Sequence, residues 1–230
     1  MTCVKTLITI NHRKMIRKMS IYAVIVLLAA CNSPKGDSAE ASDKQTVSNT
    51  SGTSYTLDTT STIKWAASKP TATHEGNFKL SEGTFTVNDN NLTSGTFTIN
   101  VASLLVTDLK PADGKAKLEG HLKSPDFFDV AKYPNAKFEI TSVAPYTSDS
   151  ANASKDATHL VSGNLTLRDS TKNISFPAKL TIDAQSLSAK ADFNIDRTMW
   201  GMNYKGPGNP QDWFISKQVN LKLDISASKK

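Results

Sequence analysis

The side chains able to do chemistry in this 230-residue chain are few and widely spaced. His121 precedes Asp126 and Asp129 at a spacing where an imidazole and two carboxylates could pass a proton between them. The same grouping fits a capped turn with a solvated acidic face, and no nucleophile stands nearby, so the cap is the reading adopted. His74, His121 and His159 are scattered, with no H-x₃-H pair and no cysteine beside them, so no metal centre is expected. Gly206-Pro207-Gly208 lacks the lysine and the following helix of a phosphate loop. Arg197 could stack on Trp200 or meet an anionic head group, but pairing with Asp196 or Asp192 is the plainer expectation. No catalytic residue and no cofactor is expected. What remains is sulfur, in Cys3 and Cys31.

Cys31 closes the run Leu28-Ala29-Ala30-Cys31, directly after the apolar stretch Ile21 to Ala30. About ten residues are too few to cross a bilayer and fit the apolar centre of a signal peptide. Upstream lie Lys5, Arg13, Lys14, Arg17 and Lys18 with no acidic residue. The stretch before Met15 and Met19 is long for such a basic leader, which leaves either methionine as an alternative start. The whole resembles a bacterial lipobox. That resemblance implies a diacylglyceryl group on the Cys31 thiol, cleavage after Ala30 and acylation of the new amine. Each buried CH₂ contributes about 0.8 kcal/mol, so several chains on one residue give stable anchoring. The expected location is the bacterial cell envelope, as a periplasmic or outer-membrane lipoprotein. Removing residues 1–30 takes five of the 27 basic residues and none of the 21 acidic ones, leaving a balance near +1. The formal charge of +6 is therefore a targeting feature and not a nucleic-acid footprint.

Two kinds of segment follow. Residues 31–54 contain no aromatic residue and one large aliphatic, Val47, and predict a flexible polar tether. From Tyr55 the texture becomes strict alternation. Phe85 and Val87 share one face, as do Phe97, Ile99 and Val101. Phe138 with Ile140, Leu165 with Leu167, Phe176 with Leu180, and Phe193 with Ile195 repeat the pattern, as does Val219 to Ile225. Period-two patterning with polar outer faces predicts antiparallel strands, wet on one side, closing into a barrel or sandwich. Turns are expected at Ser81-Glu82-Gly83, Asn88 to Asn91, Arg168 to Ser170 and Gly201, with an exposed hairpin loop over Tyr146 to Thr158. Residues 111–130 break the alternation. They predict a helix loosened by Gly114 and Gly120, with Lys115 and Glu119 in reach of each other, then a helical turn capped by Ser124 and carrying Phe127 and Phe128. Trp65, Trp200 and Trp213 are read as plugs or rim anchors, because no basic patch interleaves them.

His121-Leu122-Lys123-Ser124-Pro125-Asp126-Phe127-Phe128-Asp129, then Tyr133-Pro134 and Lys137-Phe138, carry a resemblance. So do Tyr55-Thr56-Leu57-Asp58, Gly163-Asn164-Leu165-Thr166-Leu167, and Phe193 to Thr198 with Trp200-Gly201-Met202. Over residues 55–227 the chain resembles the YceI-like family, the lipid- or polyisoprenoid-binding-like proteins of the bacterial envelope. The resemblance implies an all-β, lipocalin-like antiparallel barrel of about eight strands with one helical insertion. It also implies a non-enzymatic carrier that binds, sequesters or transports a long apolar or amphiphilic molecule of polyisoprenoid or fatty acyl type. The lining expected for that ligand is the inward set above from Phe85 to Ile195, joined by Phe127 and Trp200. The alternative is a structural or stress-related envelope lipoprotein with a filled barrel, acting through a protein partner of unknown identity. Asp169-Ser170 and the Lys205 to Asp212 segment depart from the family pattern, so no head-group ligand is carried over.

Overall fold

The computed structural model describes residues 36–147, 154–206 and 215–230. The leader, Cys31, the tip of the Tyr146 to Thr158 loop and Trp213 lie outside the described residues. In chain order the strands are β1 (Asp37–Ser38), β2 (Glu40–Asp43), β3 (Thr53–Leu57), β4 (Thr62–Lys69), β5 (Ala72–Asn88) and β6 (Asn91–Val106). After the helix α1 (Lys115–Lys123) come β7 (Asn135–Pro145), β8 (His159–Leu167), β9 (Ser170–Ile182), β10 (Ser186–Asp196) and β11 (Gln218–Lys229). Single 3₁₀ turns occupy Pro111–Asp113 and Arg197–Trp200.

Strands β4 to β11 pair antiparallel with their neighbours in chain order, and β11 returns to β4, which closes an eight-stranded barrel. β3 is the forward extension of the β4 position. Both lie between β11 and β5, separated by a break over residues 58–61. The register sets two ends. The upper end carries the β4–β5 and β8–β9 turns and the two long connections, 107–134 and 197–217. The lower end carries the β5–β6, β7–β8 and β9–β10 connections. At the β5–β6 turn Asp89 and Asn90 have φ of 47° and 62°, the left-handed pair that a tight hairpin of strand-matching twist requires. Ser81-Glu82-Gly83 is not a turn. It lies inside β5, where the register with β6 shifts between Leu80 and Glu82, so the extra residue is absorbed as a bulge that bends a 17-residue strand.

The insertion carries the one expected helix, and Gly114 bounds it while Gly120 lies inside it. Gly114, at φ 87°, ends the first 3₁₀ turn and starts α1. Ser124 closes α1 with its amide bonded to the His121 carbonyl, and the following turns are held by Phe127 N–H to Ser124 O and Asp129 N–H to Ser124 O. Ser124 Oγ also accepts from the Asp126 amide at 3.3 Å, so it caps the following turn as expected, and Asp129, at φ 48°, keeps that turn from growing into a second helix. Glu119 accepts the Val106 amide at 2.9 Å, which pins α1 to the end of β6.

The largest departure from expectation is the N-terminal segment. Residues 36–52 are not a free tether but a belt laid across the outside of the barrel. β9 and β10 pair with each other only over residues 179–182 and 187–190, at the lower end. Above that they part. β1 pairs parallel with β10 at Phe193 and Asn194, and β2 pairs antiparallel with β9 at Lys172 to Ser175, so the belt occupies the seam. The chain then crosses β8, where Asn164 accepts from the Gln45 amide at 3.0 Å and donates to its carbonyl at 2.7 Å. It crosses β7 through Ser48 N–H to Ile140 O, at the place where a register shift frees that carbonyl. It reaches β6 through Ser48 and Thr50, both bonded to Thr93, and enters β3. The segment is polar because main-chain hydrogen bonds, not apolar burial, hold it. This explains four polar residues at outward positions that alternation marks as wet: Asn164, Asn173, Asn194 and Asn220 are buried. Asn194 donates to Gly36 O, and Asn173 and Asn220 brace Asn164 and Asn194 in turn.

Candidate functional site

Inside the barrel a layer of phenylalanines forms a floor. Phe97 and Phe138 have ring centroids 5.3 Å apart, Phe138 and Phe176 5.8 Å, and Phe176 stacks on Phe193 at 4.0 Å and 6°, bridging the β9–β10 seam from within. Each such pair contributes about 0.5–1.5 kcal/mol beyond its buried area. Gly163 makes the layer possible, because a Cβ there would overlap the Phe138 ring.

Above the floor lies a cavity of about 560 Å³. Below it only about 30 Å³ is open, the size of a single water site, among Phe85, Leu92, Ile140, Val161, Leu180 and Ile225. The upper walls are apolar on every strand, from Ile63 and Trp65 on β4 to Leu221 and Leu223 on β11. The roof comes from Leu118 and Leu122 of α1, four residues apart on one face, with Phe127 and Phe128. Phe128 packs edge-on against Phe78 at 5.6 Å. His121, Phe127 and Tyr204 form an aromatic cluster at the mouth, with His121 edge-on to both partners at 5.2 and 4.7 Å.

The expected lining therefore divides. Phe97, Ile99, Val101, Phe127, Phe138, Leu165, Leu167, Phe176, Phe193 and Ile195 do line the cavity. Phe85, Ile140 and Leu180 sit below the floor in the packed half, and Val87 is buried without lining either space. Alternation assigns a face but not a height along the barrel, which is why these were grouped together. Trp200 is also corrected. It is buried in the second 3₁₀ turn and its indole N–H donates to Leu165 O at 3.0 Å, so it closes the wall from behind. Missed were Ile63, Trp65 and Ala67, although they alternate within β4 and that signal was present.

Arg197 pairs with neither Asp192 nor Asp196. It is 3% exposed, and its guanidinium donates to the carbonyls of Met202, Tyr204, Ile215 and Ser216. It thereby clamps both ends of the upper connection onto the barrel. Burial lowers its pKa, and the neighbouring Asp196 charge opposes that. Asp196 caps the 3₁₀ turn by accepting from the Thr198 amide and hydroxyl at 3.0 and 2.6 Å, and meets Lys217 at 3.1 Å. Burial pushes its carboxyl up, but these partners outweigh it and hold the pKa below 3.8. His121 meets Asp126 at 2.9 Å on a half-open surface. Among the described residues no group of three or more His, Cys, Asp or Glu side chains comes together to hold a metal ion.

Comparison with known proteins agrees with this architecture. A UPF0312 protein from Pseudomonas putida is 34% identical over 132 residues, 54% of this chain and 61% of its own length. Protein YceI from Escherichia coli O157:H7 is 34% identical over 106 residues, 46% and 48% of the two chains. The chain thus spans less than two thirds of the length of these curated relatives. Among solved structures, BcnA of Burkholderia cenocepacia superposes with a TM-score of 0.57 at 19% identity, over 74% of this chain and 98% of that one. A polyisoprenoid binding domain from Saccharophagus degradans gives 0.54 at 16% identity, over 76% and 98%. At these identities the likeness is one of fold. The family model described as the YceI-like domain matches residues 55–227, which is the barrel from β3 to β11, and the chain belongs to that family.

Proposed function

We propose that this protein is a binding module that holds a long apolar or amphiphilic molecule, of polyisoprenoid or fatty acyl type, and that it works from a lipid anchor at Cys31 in the bacterial envelope. The observation that carries the reading is the cavity itself. About 560 Å³ of space is walled by Phe, Ile, Leu and Val and stops at a closed aromatic floor. Apolar walls reward an alkyl or isoprenoid chain at about 25 cal/mol per Å² of surface removed from water. A small polar metabolite would find no partners along the apolar walls between the floor and the mouth. The polyisoprenoid-binding domain among the structural neighbours supports the same ligand class by analogy of fold. The filled-barrel alternative draws no support from the surface. The exposed large apolar side chains among the described residues stand singly in different parts of the chain: Val47 between β2 and β3, Leu105 in β6 and Met199 in the second 3₁₀ turn.

Native mass spectrometry of detergent-free protein is expected to find one lipid per chain, and solvent extraction to release it. Protein that is repeatedly empty and takes up no long-chain probe would defeat the proposal. Mass spectrometry of membrane-extracted protein tests the anchor. A chain beginning at Cys31 and heavier by its acyl groups is expected, and a Cys31→Ser variant should appear in the soluble fraction.

A further inference from the structure

The belt shortens the reach between Cys31 and the barrel. A free chain from Cys31 to Thr53 would extend to about 75 Å, at about 3.3–3.6 Å per residue. The structure instead fixes the chain from Gly36, which lies against the outer wall of β10 and β11. The Gly36 carbonyl accepts from the Asn194 side-chain amide at 2.9 Å. A Cβ on Gly36 would stand 2.6 Å from Asn220 Nδ2 and 3.0 Å from Asp192 Oδ1, so the chain is clamped close. Asp37 accepts from the Ser154 amide at 3.0 Å, and the Ala39 N–H donates to Asn194 O at 2.9 Å. Cys31 comes five residues before this clamp, which limits its distance from Gly36 to about 17 Å at the same rise. A lipid on Cys31 therefore brings the wall at β10 and β11 to the membrane.

That wall carries an unbalanced charge. Two cross-strand rows run over its outer face, just below the level of Phe193. In the first, Lys179 of β9, Lys190 of β10, Asp224 of β11, Thr62 of β4 and Lys79 of β5 stand in register. In the second, Asp192, Lys222 and Lys64 stand on β10, β11 and β4. All five lysines are exposed. Lys190 pairs with Asp224 at 3.0 Å and Lys222 with Asp192 at 3.2 Å. Lys64, Lys79 and Lys179 form no ion pair among the described residues. Lys179 stands directly opposite Lys190, and Lys64 opposite Lys222, and like charges so placed destabilise a sheet. An anionic surface relieves that repulsion. Resting on the proposed anchor at Cys31, we infer that the outer face running from β9 through β10, β11 and β4 to β5 is the surface that meets the membrane, and that it takes anionic phospholipid head groups. The barrel then lies on its wall, and its mouth stays uncovered at one end.

The test reads lysine acetylation by mass spectrometry, on acylated protein held on phosphatidylcholine vesicles with and without phosphatidylglycerol. Lys137 on β7, four strands from β11 and so on the opposite wall, is the internal reference. Phosphatidylglycerol is expected to slow acetylation of Lys179, Lys190 and Lys222 severalfold relative to Lys137, and added salt to reverse the effect. Co-sedimentation of the unacylated chain from Cys31 onward, which keeps every described strand and the helix, reads the charge alone. At about fivefold per lysine near an anionic surface, K64Q/K79Q/K179Q should weaken binding to the phosphatidylglycerol vesicles by about tenfold or more. K110Q/K132Q/K137Q removes the same charge from the upper connection and β7, and should leave that binding nearly unchanged. Acetylation slowed equally on both walls, or equal losses in the two triple variants, overturns the membrane-facing surface and leaves the carrier reading intact. A chain without acyl groups that still binds through these lysines would remove the anchor and keep the surface.

Discussion

The two halves of the barrel are made of the same residues and behave differently. Phe, Ile, Leu and Val face inward both above and below the floor, yet one half encloses about 560 Å³ and the other about 30 Å³. The difference lies in how β9 and β10 meet. Below, they are directly hydrogen-bonded and the barrel is tight enough for side chains to fill it. Above, they part, the belt takes up the seam, and the inward side chains leave the cavity open between them. A cavity in a small barrel thus depends less on lining composition than on the backbone pairing that sets its girth.

Several substitutions would break or sharpen that contrast. The largest effect is expected at Phe193, which lines the cavity and stacks on Phe176 in the floor. Phe193→Ala removes the bridge across the seam and should cost about 3–5 kcal/mol in urea unfolding. A pair of truncations tests the contrast itself. Ile225→Ala, in the packed half, should cost near the top of the range of about 2–5 kcal/mol, because it opens a new void. Ile99→Ala, on the wall of an existing cavity, should fall near the bottom, and equal costs would mean the upper half is not hollow in solution. Asn164→Ala strands the Gln45 amide and carbonyl, and should cost about 1–3 kcal/mol and speed amide exchange at Gln45 more than at Phe138.

The smallest effect is one of pH at the upper rim. Asp108 accepts from the Glu75 amide at 2.9 Å and meets His74 at 2.8 Å, tying the α1 connection to β5. Burial pushes its carboxyl up, but these bonds prevail and hold the pKa below 3.8. A depressed folded-state value stabilises the folded chain above 3.8 and is lost as pH falls through the folded value. Amide protection at Glu75 should therefore fall in acid before protection at the floor does.

The sequence shows some of this directly. The inward faces of β6 to β11 read correctly because each strand has one wet and one dry side over most of its length. The roof helix is legible from Leu118 and Leu122. The belt is not, because Gly36 to Gly52 has no apolar periodicity and most of its attachments are main-chain atoms that every sequence possesses, with hydroxyls of Ser48 and Thr50 adding to them. Its one sequence signal is indirect: asparagines, not threonines, stand at outward positions 164, 173, 194 and 220. Pro177, without an N–H to give, stands two residues before the β9–β10 ladder begins and hints at the parting seam. Height along the barrel was hidden for a similar reason. Phe85 and Phe97 share a pattern, and only the tertiary register separates the residue under the floor from the one in it.

Barrels are prized by natural sequences because closure abolishes exposed strand edges, and this barrel keeps two. The borders of β9 and β10 above Pro177 would template pairing with any extended peptide, and the chain satisfies them with a segment of its own that carries Glu40 and Asp43 outward. Protection against aggregation is thus assigned to a detachable part. A single proteolytic cut past β2 would leave the aromatic floor intact and still yield a chain able to exchange strands with its neighbours.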